Sequence, residues 1–367
     1  MNHTDFGALA RKSTMSRLEA QSLWGEARQY DGTLSPSPAL IDRLAAKRLL
    51  PMDFSRTQLF SRMERCQPTL FSNFPIRQRK TGRAGAALSL EESIELGFPR
   101  AKRARVRTRG TVTYLPIPEV LAKWRAARSV FGVTDLHYIS TRFDRIVDTS
   151  GLNDFNLLPR GTDGFQSQDS LVISSKGAIT DSHSDDHSGS NHSFTGAKIW
   201  LLWDTVEGFE HGLEDVEHQN VTGERAAFDL AAFARLASAC WILIGPGQTM
   251  FIPAHLTHKV ITLEKYVGLG SFHAGLPGFV DLLMRWQQLR PLWLSGPSGD
   301  KRGTVEFLTR RAIRKIHQLR SAGRSEQLHW GLPYLKSRIR SPDVAAVLRK
   351  SGPDRNLRAF VAAAQLA

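Results

Sequence analysis

Two hydrophobic rhythms follow one another along the chain. Over residues 16–30, Leu18, Leu23 and Trp24 recur near helical spacing, and after the Ser-Pro-Ser-Pro break Leu40, Ile41, Leu44 and Leu49 do so over 38–50. From about 130 to 279 the rhythm shortens to strand-like runs. These are Leu171-Val172-Ile173, Ile199-Trp200-Leu201-Leu202-Trp203, Trp241-Ile242-Leu243-Ile244, Met250-Phe251-Ile252 and Val260-Ile261, set between Gly, Pro and Asp turns. Many short strands of this kind predict a mainly β core, a sandwich or barrel of jelly-roll type. One helical stretch, 226–239, interrupts the series, and helical spacing returns over 280–289, 305–319, 344–348 and 357–366. The pattern divides the chain into a helical, basic N-terminal region (1–125), a β domain (126–290) and a basic helical C-terminal region (291–367).

Composition narrows the class. A hydrophobic share of 41% with eight Trp and nineteen Phe over 367 residues is enough for a sizeable core and excludes wholesale disorder. Two distant cysteines, Cys66 and Cys240, exclude a disulfide scaffold and paired-cysteine zinc modules. No apolar run is long enough to span a bilayer and the first residues carry no signal-peptide core, so the expectation is an intracellular protein without a membrane partner. No repeat, P-loop or dinucleotide fingerprint is present.

Charge adds a partner class. The net charge is +14, a field that favours nucleic acid, an acidic protein surface or a carboxylate substrate. Residues 301–367 hold fifteen Lys or Arg against four acids. Between 77 and 109 lie ten basic residues, Arg77, Arg79, Lys80, Arg83, Arg100, Lys102, Arg103, Arg105, Arg107 and Arg109, against three acids. Alternation from Arg103 to Arg109 would set four guanidiniums on one face of a strand. A solvated face and a polyanion contact are the two readings of these flanks.

The densest chemistry lies at Thr180-Asp-Ser-His183-Ser-Asp185-Asp-His187. On a strand, a His-x-Asp pair points to one side, because side chains alternate with period two. With one distant His it would form the 2-His-1-carboxylate set that binds Fe(II) and leaves coordination positions open. The stretch Pro253-Ala-His255-Leu-Thr-His258 offers two such histidines.

These residues resemble a family. SLVISSKGAITDSHSD, TGAKIWLL, GQTMFIPAHLTHKVIT and LGSFHAG, preceded by HYISTRFDRIVDTSGL, are similar in order and spacing to the strands of Jumonji C (JmjC) Fe(II)/2-oxoglutarate oxygenases, nearest to the histone-lysine demethylase branch. The similarity covers roughly residues 130–280. It implies a double-stranded β-helix, cupin-like core with helical N- and C-terminal flanks. It implies His183, Asp185 and His258 as catalytic metal ligands, His258 being preferred because it stands five residues after Pro253. Thr180 and Lys198 would bind 2-oxoglutarate, the lysine through its distal carboxylate. Iron, 2-oxoglutarate and O2 are the implied cofactors, with succinate and CO2 as co-products of hydroxylation.

Substrate recognition is where the chain departs from the branch. Asn191 stands seven residues before the lysine, where the demethylases carry an aromatic residue of the methyl-lysine pocket. Ser271 replaces an Asn before Phe272, and the loop from Asp186 to Asn191 is shorter. Asn191, His187 and Ser271 are therefore the candidate substrate residues, while Asp186 and His192 crowd the same loop. The favoured expectation is a hydroxylase of a protein, peptide or amino-acid-like substrate. N-methyl-lysine demethylation, an inactive basic binding module and a plain metal cupin are the alternatives, Lys198 being the residue that discriminates against the last.

Overall fold

The computed structural model describes residues 4–78, 88–108, 111–149, 151, 156–162, 166–213, 227–276, 278–295, 302–321, 331–350 and 355–365. Arg79, Lys80, Arg83, Arg109, Ala226 and Leu366, which entered the expectations above, lie outside them. The strands are β1 (Thr69–Phe71), β2 (Arg77–Gln78), β3 (Arg103–Thr108), β4 (Thr111–Pro116), β5 (Gly132–His137), β6 (Val147–Asp148) and β7 (Ser170–Ser174). They continue as β8 (Ile179–His183), β9 (Ser188–Thr195), β10 (Lys198–Asp204), β11 (Cys240–Ile244), β12 (Thr249–Ile252), β13 (Leu256–Thr262) and β14 (Tyr266–His273). Twelve of them form two antiparallel sheets, one ordered β1-β12-β9-β14-β7-β5-β3-β4 and the other β11-β10-β13-β8; β2 and β6 make a separate ribbon. Helices flank the sheets at both ends of the chain, and among the described residues none is long and apolar enough to cross a membrane.

Period-two alternation sorts each strand's side chains between two cores. Ile199, Leu201 and Trp203 of β10, with Trp241, Leu243 and Ile261, turn outward against the N-terminal helices Arg17–Tyr30 and Pro38–Ala45. There Trp24 meets Trp241 edge-on at 5.4 Å, and the Trp241 indole N–H donates to the Leu44 carbonyl at 2.6 Å. The outer face of the larger sheet, with Phe71, Leu171, Ile173, Phe251, Val267 and Leu269, packs on Ile94, Phe98, Leu121 and Phe143. Between the sheets lie Leu202, Ile242, Ile244, Met250 and Ile252. A C-terminal core of Phe279, Leu283, Leu308, Ile316 and Phe360 joins Ala254 and Phe272 at one end of the sheets.

The sequence expectations need four adjustments. Leu18 is 78% exposed, because it falls off the stripe that Ala20, Leu23, Trp24 and Ala27 present to the sheet. The helix within 226–239 is confined to Leu230–Arg235, capped by Asp229, whose carboxylate accepts from the Ala231 and Ala232 N–H groups. A further helix, Gly331–Ile339, lies in the C-terminal region. The apparent single strand leading to His183 is two, β7 and β8, in different sheets, and Gly177 at φ +80° turns the corner.

Candidate metal centre

His183 ends β8 and stands directly opposite His258 of β13, which in turn faces Leu202 of β10. The imidazole centroids lie 4.2 Å apart. His183 Nδ1 is 2.8 Å from the Asp181 carbonyl and His258 Nδ1 is 3.1 Å from the Leu256 carbonyl. A carbonyl only accepts, so both Nδ1 atoms carry the proton and both Nε2 atoms are left as ligands. Asp185 completes the group, its Oδ2 lying 3.8 Å from His258 Nε2. One ligand atom from each of the three comes within 4.8 Å of the others, the spacing a single metal ion needs. Burial, with His183 beside it, pushes the His258 pKa down to about 4, so the ring is neutral and able to coordinate at pH 7. His258 is buried, whereas His183 and Asp185 are half-buried.

Asp185 does not share a strand with His183, contrary to the His-x-Asp expectation: β8 stops at His183. The carboxylate is placed instead by the following loop, where the Asp185 carbonyl accepts from the His255 N–H at 3.0 Å. His255, the rival ligand by spacing, is 1% exposed with φ +62°, and its ring meets Trp286 at 5.9 Å. It takes part through its backbone and is not in the ligand group.

Cross-strand partners point to the same side of a sheet. The pairs Lys198–Thr262, Trp200–Val260 and Leu202–His258 therefore place Lys198 and Trp200 on the face that carries the ligands. Thr180 pairs with Val260 and His183 with His258, so β8 holds one extra residue between these pairs. That bulge brings Thr180, three positions before His183, onto the same face. Thr180 is exposed on this edge strand, and the Trp200 ring lies 5.3 Å from that of His258.

Lys198 is buried and crosses to the larger sheet. Its Nζ donates to Ser174 Oγ at 3.2 Å and sits 4.2 Å from the Tyr266 ring centroid. Among the described residues no carboxylate pairs with it, and burial pushes its pKa from 10.5 down to about 7. The Tyr266 hydroxyl donates to Asn191 Oδ1, so Lys198, Tyr266 and Asn191 form one connected array between the sheets. Sequence reasoning missed Tyr266 and Ser174. The signal for Tyr266 was the alternation Tyr266-x-Gly268-x-Gly270, one large ring beside two positions without side chains on the same face.

The remaining candidates divide. Asn191 lies opposite Gly270 and Met250, facing between the sheets. His187, buried just before β9, packs edge-on to Phe272 at 5.9 Å. Ser271 belongs to the alternate, outward face of β14, and its hydroxyl donates to Asp169 rather than lining the metal side. Arg103, Arg105 and Arg107 lie on β3, in the sheet that does not carry the ligands, and Asp135 takes two of them. A scan against protein-family models finds no match for this chain, and a search of curated proteins finds none either.

Proposed function

We propose that this protein is an Fe(II)- and 2-oxoglutarate-dependent oxygenase of JmjC type that hydroxylates a C–H bond of a protein, peptide or amino-acid-like substrate. One observation carries the reading: a two-histidine, one-carboxylate group shares its face with a buried lysine that, among the described residues, no carboxylate neutralises. Two facing antiparallel sheets with the ligands between them support a double-stranded β-helix as the finer description of the core. Two imidazoles and one carboxylate suit Fe(II) and leave coordination positions open. A buried lysine amine held by a hydroxyl and an aromatic ring suits one carboxylate of a dianionic ketoacid.

When bound, iron and 2-oxoglutarate supply the activation of O2, coupled to decarboxylation to succinate and CO2. The chain's own residues do the rest. His183 and His258 present unprotonated Nε2 atoms, and Asp181 and Leu256 hold their tautomers. Lys198 would hold the distal carboxylate of the ketoacid, with Thr180 on the same face. Trp200 packs over the His258 ring, with the centroids 5.3 Å apart. The half-buried side of His183 and Asp185 is the approach for substrate. Asn191, tied to Tyr266 where the demethylase branch has an aromatic, favours a stable alcohol product over removal of an N-methyl group.

The test is anaerobic loading with Fe(II), addition of 2-oxoglutarate and O2, and quantitation of succinate. Peptides with and without methylated lysine are then screened by mass spectrometry for a gained oxygen or a lost methylene. Succinate from the wild type and none from Asp185→Ala is expected. A fully metal-loaded protein that leaves 2-oxoglutarate untouched refutes the proposal.

A further inference from the structure

The larger sheet ends in an open edge. β4 is its last strand, and residues 111–114 are exposed, with Val112 at 47% and Tyr114 at 57%. Which backbone groups face outward follows from the ladder. The Ile117 N–H donates to the Lys102 carbonyl at 3.3 Å, and bonded and non-bonded pairs alternate in an antiparallel ribbon. The pairs Ala104–Leu115 and Val106–Thr113 are then bonded, while Arg105–Tyr114 and Arg107–Val112 are not. Val112 and Tyr114 thus turn their N–H and C=O groups away from β3.

Edges of this kind are usually blunted by lysine, an internal proline or a bulge. Residues 111–115 have no such device, the proline coming only at the strand's last residue, Pro116, and the β3–β4 register runs from Arg103–Pro116 to Thr108–Thr111 without a break. The same face is charged. Arg105 and Arg107 stand beside Tyr114 and Val112, and Arg103 reaches the edge to donate from Nη2 to the Tyr114 carbonyl at 2.7 Å. Among the described residues, one carboxylate pairs with this row, Asp135 of β5, 3.2 Å from Arg105 and 3.1 Å from Arg107.

We infer that β4 is a docking edge for an extended acidic segment of a partner protein, which adds to the sheet as a further strand. Main-chain bonds to the N–H and C=O of Val112 and to the N–H of Tyr114 would supply the pairing, and acidic side chains at alternate positions would meet the arginine row. Charge complementarity selects this occupant over a second copy of the chain, which carries the same +14 and the same arginines. The inference stands apart from the metal site, whose ligand strands β8 and β13 belong to the other sheet.

The test uses the full chain and a short fluorescein-labelled peptide of alternating glutamate and valine, followed by anisotropy. Binding should weaken steeply with salt. Val112→Pro removes one outward N–H without touching a bond to β3, and should weaken binding about tenfold while circular dichroism and Mn(II) binding stay unchanged. Arg103→Ala, which leaves the backbone intact, should weaken it by a similar factor and covers the case in which the proline variant does not fold. Equal binding of a lysine-for-glutamate peptide overturns the charge argument. Equal binding of a peptide N-methylated at alternate amides overturns strand addition. Concentration-dependent dimers that vanish in Val112→Pro would give the edge to a second copy and overturn the proposal.

Discussion

Replacing Lys198 by Met should make the cofactor-free protein more stable while abolishing its response to 2-oxoglutarate. Burial lowers the lysine pKa from 10.5 to about 7, so at pH 7 the unfolded chain binds this proton far more tightly than the native state. The corresponding penalty is about 4 kcal/mol. Methionine matches the length of the lysine stem and removes the charge, at the loss of the Ser174 hydrogen bond and the contact with the Tyr266 ring, together about 2 kcal/mol. A net gain of about 2 kcal/mol is expected near neutral pH. The sign can be checked by titration. The penalty is fully present below the native pKa and is relieved as pH rises toward 10.5, so wild-type stability should climb by up to about 1.4 kcal/mol per pH unit relative to Lys198→Met. Urea denaturation across this range reads the difference directly. With Mn(II) present, 2-oxoglutarate should raise the unfolding midpoint of the wild type and leave that of the variant unmoved. A variant less stable than wild type at pH 7, by an amount that does not vary with pH, would mean that the ammonium is already compensated inside the protein. The lysine would then give no ground for an anion subsite.

Three further outcomes are expected. His183→Ala and Asp185→Ala should each lose stoichiometric Mn(II) or Fe(II) binding, read by metal analysis after gel filtration, with the circular dichroism spectrum retained. Burial holds His192, His258 and His273 each near a pKa of about 4, so the unfolded chain binds more protons as pH falls. Stability should therefore drop by several kcal/mol between about pH 6.5 and pH 4. Trp241→Ala should cost about 3–5 kcal/mol in urea denaturation, since its ring is buried against Trp24 and its N–H is bonded to Leu44.

The strands were legible where one face is apolar and the neighbouring positions differ, as in Lys198-Ile199-Trp200-Leu201-Leu202-Trp203. Such a run can be read for both core and site once its period is known. The candidate ligands were legible through the His-x-Asp pair and through the resemblance of the surrounding segments to the JmjC pattern, which preferred His258 to His255. Their placement was not, because it depends on two local irregularities. Asp185 is held beyond the strand end by a bond from the His255 N–H, a residue in the left-handed region, and no spacing rule encodes that loop. Ser271 fell on the wrong face by a single position: Gly270, not Ser271, shares the side of Tyr266 and Asn191.

Thr180 shows how an irregularity can be inferred backwards. A spacing of three along a regular strand puts two side chains on opposite faces. If Thr180 and His183 serve one site, β8 must therefore contain an odd insertion between them. The register supplies it: His183 pairs with His258 and Thr180 with Val260, three residues on one strand against two on the other. β8 is the edge of its sheet, where an extra residue disturbs one ladder instead of two. The same reasoning predicts that deleting Ser182 would restore a regular strand in which Thr180 and His183, then two positions apart, still share the ligand face. The shortened chain should keep its β-rich circular dichroism and its metal binding, because the pairs His183–His258 and Thr180–Val260 are both retained and Asp185 still follows His183 by two residues. Loss of metal binding with the fold retained would mean that the bulge's own geometry, and not the pairing across the ladder, sets the site, and would remove the register argument for Thr180.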